Sequence, residues 1–199
     1  QTSARGSFEA YGQTVGVPSW PALINKEAMV ALYSSSGEII HSVNYHDSWY
    51  GSIDKDDGGW SLEMIDTGFP CKGMENWAAS ENSAGGTPGK PNSLVGKLTD
   101  FTPPFITEAN FTDAVSLSIH LNEMIPPVQP SSLTVEMSPH ISKDSISLKI
   151  PELDFFEIPL QALAEPKTTY LVTLRNLKDC AGNLQSSTMT QVVLPDTAK

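Results

Sequence analysis

The chain has 199 residues, 39% of them hydrophobic and 18% charged, with 14 Gly and 15 Pro, a balance that suits short strands joined by many turns and excludes disorder. No apolar run approaches the ~20 residues that a membrane-spanning helix needs. A net charge of −11 opposes nucleic acid and anionic membrane surfaces, both of which it would repel, and leaves room for a calcium ion.

Little in the chain reads as helix. Ser7–Tyr11 and Leu160–Ala164 are short candidates, and neither sustains an i, i+3, i+4, i+7 pattern. Ala28–Tyr33, the turn Ser34-Ser35-Ser36-Gly37 and Glu38–Tyr45 read as a hairpin. After Gly58-Gly59, Trp60–Ile65 reads as a strand. Thr67–Asn92 is rich in Gly, Pro, Asn and Ser and is expected to be irregular, with Trp77 anchoring it. Asp100-Phe101-Thr102-Pro103-Pro104 reads as a stiff linker, because consecutive prolines favour extended backbone. The domain boundary is therefore expected between Lys97 and Pro104, giving modules 1–97 and 98–199. Beyond it, Val115, Leu117, Ile119 and Leu121 alternate with Ser116, Ser118 and His120, as in a half-buried antiparallel strand. Strands are expected at Leu133–Met137, Ser145–Ile150, Thr169–Leu174 and Thr188–Leu194, with a hairpin loop at Lys178–Asn183 where Gly182 and Asn183 suit positive φ. The fold class is all-β, and about seven short strands in under 100 residues is the signature of an Ig-like sandwich.

Four spaced motifs carry a resemblance over roughly residues 12–95. They are Asp47-Ser48-Trp49-Tyr50-Gly51, Gly58-Gly59-Trp60-Ser61-Leu62-Glu63, Asn76-Trp77-Ala78-Ala79-Ser80 and Gly85-Gly86-Thr87-Pro88-Gly89-Lys90-Pro91-Asn92-Ser93. Their order resembles the C-terminal part of the lamin-tail-like domain of bacterial secreted and surface proteins. The Ile-Asn-Glu and Glu-Leu-Tyr-Asn-like strands that open that family have no counterpart here, since Leu23-Ile24-Asn25-Lys26 lies too late. The first module is thus expected to be truncated at its N-terminus, with an open sheet edge able to pair with another chain. Residues 100–195 resemble a bacterial Ig-like module of the S-layer type, through Thr102-Pro103-Pro104, the strand leading into Asn122-Glu123, and Asp179-Cys180-Ala181-Gly182-Asn183. Both resemblances imply non-catalytic modules of exported multidomain proteins, serving as spacers, adhesion elements or accessories to enzymes, secreted or at the cell surface.

A search for chemistry gives weak signals. No Gly-x-Ser-x-Gly elbow is present, and no residue is assigned a catalytic role. His41 and His46, five apart on one strand, point to opposite faces and read as ordinary strand histidines rather than metal ligands. Neither His120, on a polar strand face, nor His140, in a loop, has a partner by spacing. Asp54, Asp56 and Asp57 before Gly58-Gly59 offer oxygen ligands for calcium, but Lys55 intrudes and no EF-hand glutamate follows, which favours a solvated acidic turn. The carboxylates Glu63, Asp66, Glu75 and Glu81 show no sign of a glycosidase cleft and read as surface charge. Among the aromatics, Trp49, Trp60 and Trp77 sit in the motifs and read as core, whereas Trp20 and Tyr50 are the candidates for stacking on a sugar. No other cofactor is implied.

Two cysteines allow one disulfide, which does not by itself fix the compartment. In an Ig-like sandwich the loop of Cys180 lies at the pole of the module's N-terminus. Cys71 and Cys180 would then meet across the joint, the alternative being two buried free thiols. Gln1 opens no leader pattern, so the chain reads as cytosolic or as a piece whose targeting segment was removed. The reading that unites these features is a structural or interaction region with an unknown protein or glycan partner and no membrane insertion. A carbohydrate-binding accessory of a cell-surface enzyme is the alternative, and an unrecognised hydrolase ranks last.

Overall fold

The computed structural model describes residues 5–17, 19, 22–129, 132–150 and 153–196. The fold is all-β, built of small antiparallel sheets. By contact the chain divides into two units. One comprises residues 1–30, 44–70 and 74–98, the other 31–43, 71–73 and 99–199.

In the N-terminal part, a short helix α1 (Arg5–Phe8) runs into a 3-10 turn at Glu9–Tyr11, where a short helix is expected. Strands β1 (Glu27–Tyr33) and β2 (Ile39–His46) form the expected hairpin, turning at Gly37 with φ 85°. A 3-10 turn at Asp47–Tyr50 and helix α2 (Ile53–Asp56) lead to β3 (Leu62–Met64). That strand pairs with β4 (Trp77–Ala79), placing Glu63 opposite Ala78. Between them, irregular 3-10 turns span Pro70–Asn76, broken at Gly73.

Among the described residues of the first unit, only Phe69 and Ala79 are fully buried apolar side chains, whereas Glu63, Asp66, Asn76 and Ser80 are buried polar ones. Hydrogen bonds therefore organise this interior more than apolar burial does. Asn76 accepts from the Asp66 N–H at 2.7 Å and donates to the carbonyls of Asp66 and Phe69, both at 2.9 Å. Such full pairing is what makes burying an amide tolerable.

The second unit contains a β-sandwich. Its strands are β5 (Ile106–Asp113), β6 (Ser116–Leu121), β7 (Thr134–Ser138), β8 (Ser147–Leu148), β9 (Phe155–Pro159), β10 (Thr169–Lys178) and β11 (Leu184–Val193). One sheet has the order β5-β6-β9-β8 and the other β11-β10-β7. Inward residues alternate as a half-buried strand requires: Leu117, Ile119 and Leu121 on β6, Phe156 and Ile158 on β9, Val172 and Leu174 on β10. These side chains form one continuous apolar core. Asn176, at φ 58°, marks the point on β10 where the inward phase passes from Leu174 to Leu177. Asparagine tolerates this left-handed backbone better than branched residues do. The segment Leu160–Ala164 is not the expected helix. Leu160 instead bridges to Lys143 with its side chain in the core, and sheet pairing prevails over local propensity.

Candidate functional site

The densest chemistry among the described residues lies in the second unit, where Asp100, Glu123 and Asp179 bring carboxylate oxygens within 4.8 Å of one another. Three elements supply them. Asp100 is in the extended run before β5, Glu123 follows β6, and Asp179 opens the β10–β11 hairpin loop. Asp179 is 2% exposed and shapes its loop by accepting from the N–H groups of Gly182 and Asn183, both at 2.7 Å. Gly182 takes φ 96° as the turn demands; Asn183, also expected at positive φ, instead uses its side-chain amide, donating to Asp179 at 2.8 Å and to the Asp100 carbonyl at 3.2 Å.

One cation answers this charge: the Lys72 ammonium lies 3.0 Å from Asp100. Burial and the neighbouring carboxylates Asp100 and Asp179 push Glu123 up to about 7. The Glu123 carboxyl is also a side-chain hydrogen-bond partner of Asp100, which helps to hold Asp100 ionised. Burial of Asp100 opposes its ionisation, but the Thr102 N–H and Lys72 outweigh that and hold its carboxyl below the usual range. The group is thus a close carboxylate pair, one member raised and one lowered, beside an ion pair. The oxygen set is of the type that hard cations accept, though the ammonium already supplies a positive charge there.

Cys71 and Cys180 are joined in a disulfide with Cα atoms 5.9 Å apart. Both belong to the second unit, because residues 71–73 do, so the bridge lies within that unit rather than across the expected joint. It stands next in sequence to Lys72 on one side and Asp179 on the other.

The remaining sequence candidates fall elsewhere. Asp54 and Asp56 lie on α2 and Asp57 caps it, and their carboxylate oxygens are not all gathered within 4.8 Å of one another. A helix turns its carboxylates outward around the axis, where a calcium loop would converge them. His41 and His46 both lie on β2. Burial lowers the pKa of His41, while His46 accepts from the Ser48 N–H and so caps the following turn. Trp49, Trp60 and Trp77 are half-buried and stand outside the buried core, unlike the expectation. The reason is the polar interior of the first unit, which leaves no closed apolar centre for them. Lys55 covers one face of Trp60, its ammonium 4.6 Å from the ring centre, and donates to the Ser80 carbonyl at 2.8 Å. Tyr50, expected to be displayed, is half-buried and donates its hydroxyl to the Trp60 carbonyl at 3.1 Å. Trp20 lies outside the described residues.

Glu63 and Asp66, expected as surface charge, are the buried carboxylates of the first unit. Glu63 accepts from the Thr87 hydroxyl at 2.6 Å, the Ser93 hydroxyl at 2.6 Å and the Ser93 N–H at 2.7 Å. Burial alone would raise its pKa, but these bonds outweigh it and hold the carboxyl at about 2. Asp66 accepts from the N–H groups of Leu98 and Gly68, which likewise hold it low. Both carboxylates are thus bonded by hydroxyl and backbone donors of the unit itself, as buried charged groups require.

No helix among the described residues is long and apolar enough to cross a membrane. What fold and side chains define is an all-β protein with one β-sandwich and a buried acid–ammonium cluster beside a disulfide. No protein-family model matches the chain, and no curated protein matches it.

Proposed function

We propose that this chain is a non-catalytic structural or interaction region of an exported bacterial protein, in which a lamin-tail-like module precedes an Ig-like module and the pair serves as an adhesion element or spacer. One observation carries the reading: the strand order of the second unit. Lettered in chain order from β5, its sheets are A-B-E-D and G-F-C, the constant-type immunoglobulin arrangement. Tyr170 at the start of the sixth strand supports it further, since its hydroxyl accepts from the Glu165 N–H at 2.9 Å, a tie back to the preceding corner. The disulfide suits an oxidising compartment.

In the first unit the support comes from where the four motifs meet. Tyr50 bonds the Trp60 carbonyl, Glu63 takes Thr87 and Ser93, and the Ser61 N–H donates to the Gly85 carbonyl at 2.8 Å. A Cβ on Gly85, which has φ 82°, would overlap the backbone carbonyl of Gly59, so the close approach of two motifs requires glycine at position 85. Motif residues that satisfy one another build a scaffold and leave no displayed reactive group.

A glycan array probed with the purified chain tests this reading. A spacer or protein-adhesion region gives a blank array. Strong binding to a defined glycan that falls at least about tenfold in Tyr50→Ala, a loss of about 1.4 kcal/mol, would replace it with the carbohydrate-binding alternative.

A further inference from the structure

Among the asparagines of the sequence, Asn110 alone has Ser or Thr at the second position after it with no proline between, in Glu108-Ala109-Asn110-Phe111-Thr112. A hydroxyl two residues on is what enzymes that attach glycans to an asparagine amide require of their acceptor. The run lies on β5, an edge strand of its sheet. Ala109 is buried and Phe111 packs against the core, whereas Glu108, Asn110 and Thr112 are all exposed. Acid, amide and hydroxyl thus alternate along the outward side of the strand, as its period of two requires. The backbone carbonyl of Asn110 accepts from the Ser118 hydroxyl at 3.2 Å, so the fold holds this residue without using its side chain. That side chain donates from Nδ2 to the Glu108 carboxylate at 2.5 Å, a bond between two exposed groups that water replaces at little cost. Thr112 falls in the register shift between Phe111 and Asp113 and has no register partner on β6.

We propose that Asn110 is a glycan acceptor: its side-chain amide carries an N-linked oligosaccharide that covers the outward side of β5. This rests on export as proposed above, since exported chains are the ones that meet such transferases. The donor is an oligosaccharide joined through a diphosphate ester to a lipid. The Asn110 Nδ2 attacks C1 of the first sugar. The N–C1 bond forms as the C1–O bond to the diphosphate breaks, and the lipid diphosphate leaves with one amide proton. No group is oxidised or reduced. The modified side chain keeps the outward direction it already has, so the sugar lies in solvent and displaces no buried group. It also has a physical use there. Strand β5 pairs within its sheet on one side only, with β6, and such an edge is a template for another chain. A bulky, hydrated glycan on the edge strand hinders that approach.

The full chain, taken from the cells that make it with free thiols blocked at lysis, would be digested and its peptides read by mass spectrometry. The peptide containing Asn110 should carry added sugar mass, release sugar fragment ions, and place the attachment on Asn110. In the same cells Thr112→Ala should lose the modified form and Thr112→Ser should keep it. Both substitutions are at an exposed position, and the linked Cys71–Cys180 peptide pair serves as the sign of folding and export in each. A bare Asn110 beside a linked cysteine pair would overturn the acceptor while leaving the exported reading in place. A bare Asn110 beside two blocked thiols would overturn both. Sugar mapped to a different residue, or undiminished modification in Thr112→Ala, would likewise overturn the role given to this run.

Discussion

At the residue scale, the first unit shows how a nearly apolar-free interior is held. Asn76 is fully buried and spends its amide on three backbone groups, two from Asp66 and one from Phe69. Removing it leaves a donor and two acceptors buried without partners, each costing about 1–3 kcal/mol. Asn76→Ala is therefore expected to lower stability by about 2–4 kcal/mol in urea unfolding, whereas Asn25→Ala, at an exposed bend, should stay within about 0.5 kcal/mol. Equal effects at the two positions would contradict a structural role for Asn76. None of this was legible as chemistry in the sequence. Glu63 and Asp66 look like solvated charge until Thr87, Ser93 and Leu98, far along the chain, are folded against them. The motifs did mark the residues involved, since Glu63, Asn76, Thr87 and Ser93 all fall inside them, but order along the chain does not tell a network from a binding site.

At the element scale, legibility followed regularity. Strand β6 was read from strict alternation, and its Leu117, Ile119 and Leu121 are core as expected. Strand β5 escaped notice because register shifts after Ile106 and Phe111 break its alternation, burying only Ile106 and Ala109. In β9 the inward Phe156 and Ile158 are only two, and Pro159 closes the strand, so the pattern is too short to stand out. The acid cluster was invisible for another reason: Asp100, Glu123 and Asp179 come from three elements and share no spacing. Their elements predict a measurable pH dependence. Because Glu123 is raised to about 7, the folded second unit binds more protons than the unfolded chain between the ordinary glutamate pKa and 7. Its stability should fall as pH rises through that window. Glu123→Gln should remove that slope, read as urea midpoints of tyrosine fluorescence or far-UV signal from pH 4.5 to 8, and a slope that persists would assign it to another group.

At the scale of the whole molecule, the two units differ in what holds them and in how acid acts on them. The first relies on carboxylates kept ionised, with Glu63 at about 2 and Asp66 also lowered. Stability drawn from groups with depressed pKa is present above the unfolded value and lost as pH falls toward the folded one. The first unit should therefore weaken below about pH 4.5, where the second has yet to feel the cost of ionising Glu123. The described tryptophans, Trp49, Trp60 and Trp77, belong to the first unit, so their fluorescence reports on it. The second unit depends instead on a continuous apolar core, strands in the A-B-E-D and G-F-C order, and the bridge of Cys71 to Cys180. That bridge closes a loop with a sequence separation of 109, which the chain-entropy argument associates with about 4–5 kcal/mol. The proposal that the chain is an exported β-protein closed by a disulfide is what joins these observations. Its most direct test is a non-reducing peptide map of the protein taken from the cells that make it, with free thiols blocked at lysis. The account predicts one linked peptide pair containing Cys71 and Cys180 and no blocked cysteine. Full blocking of both thiols in the folded protein would contradict it.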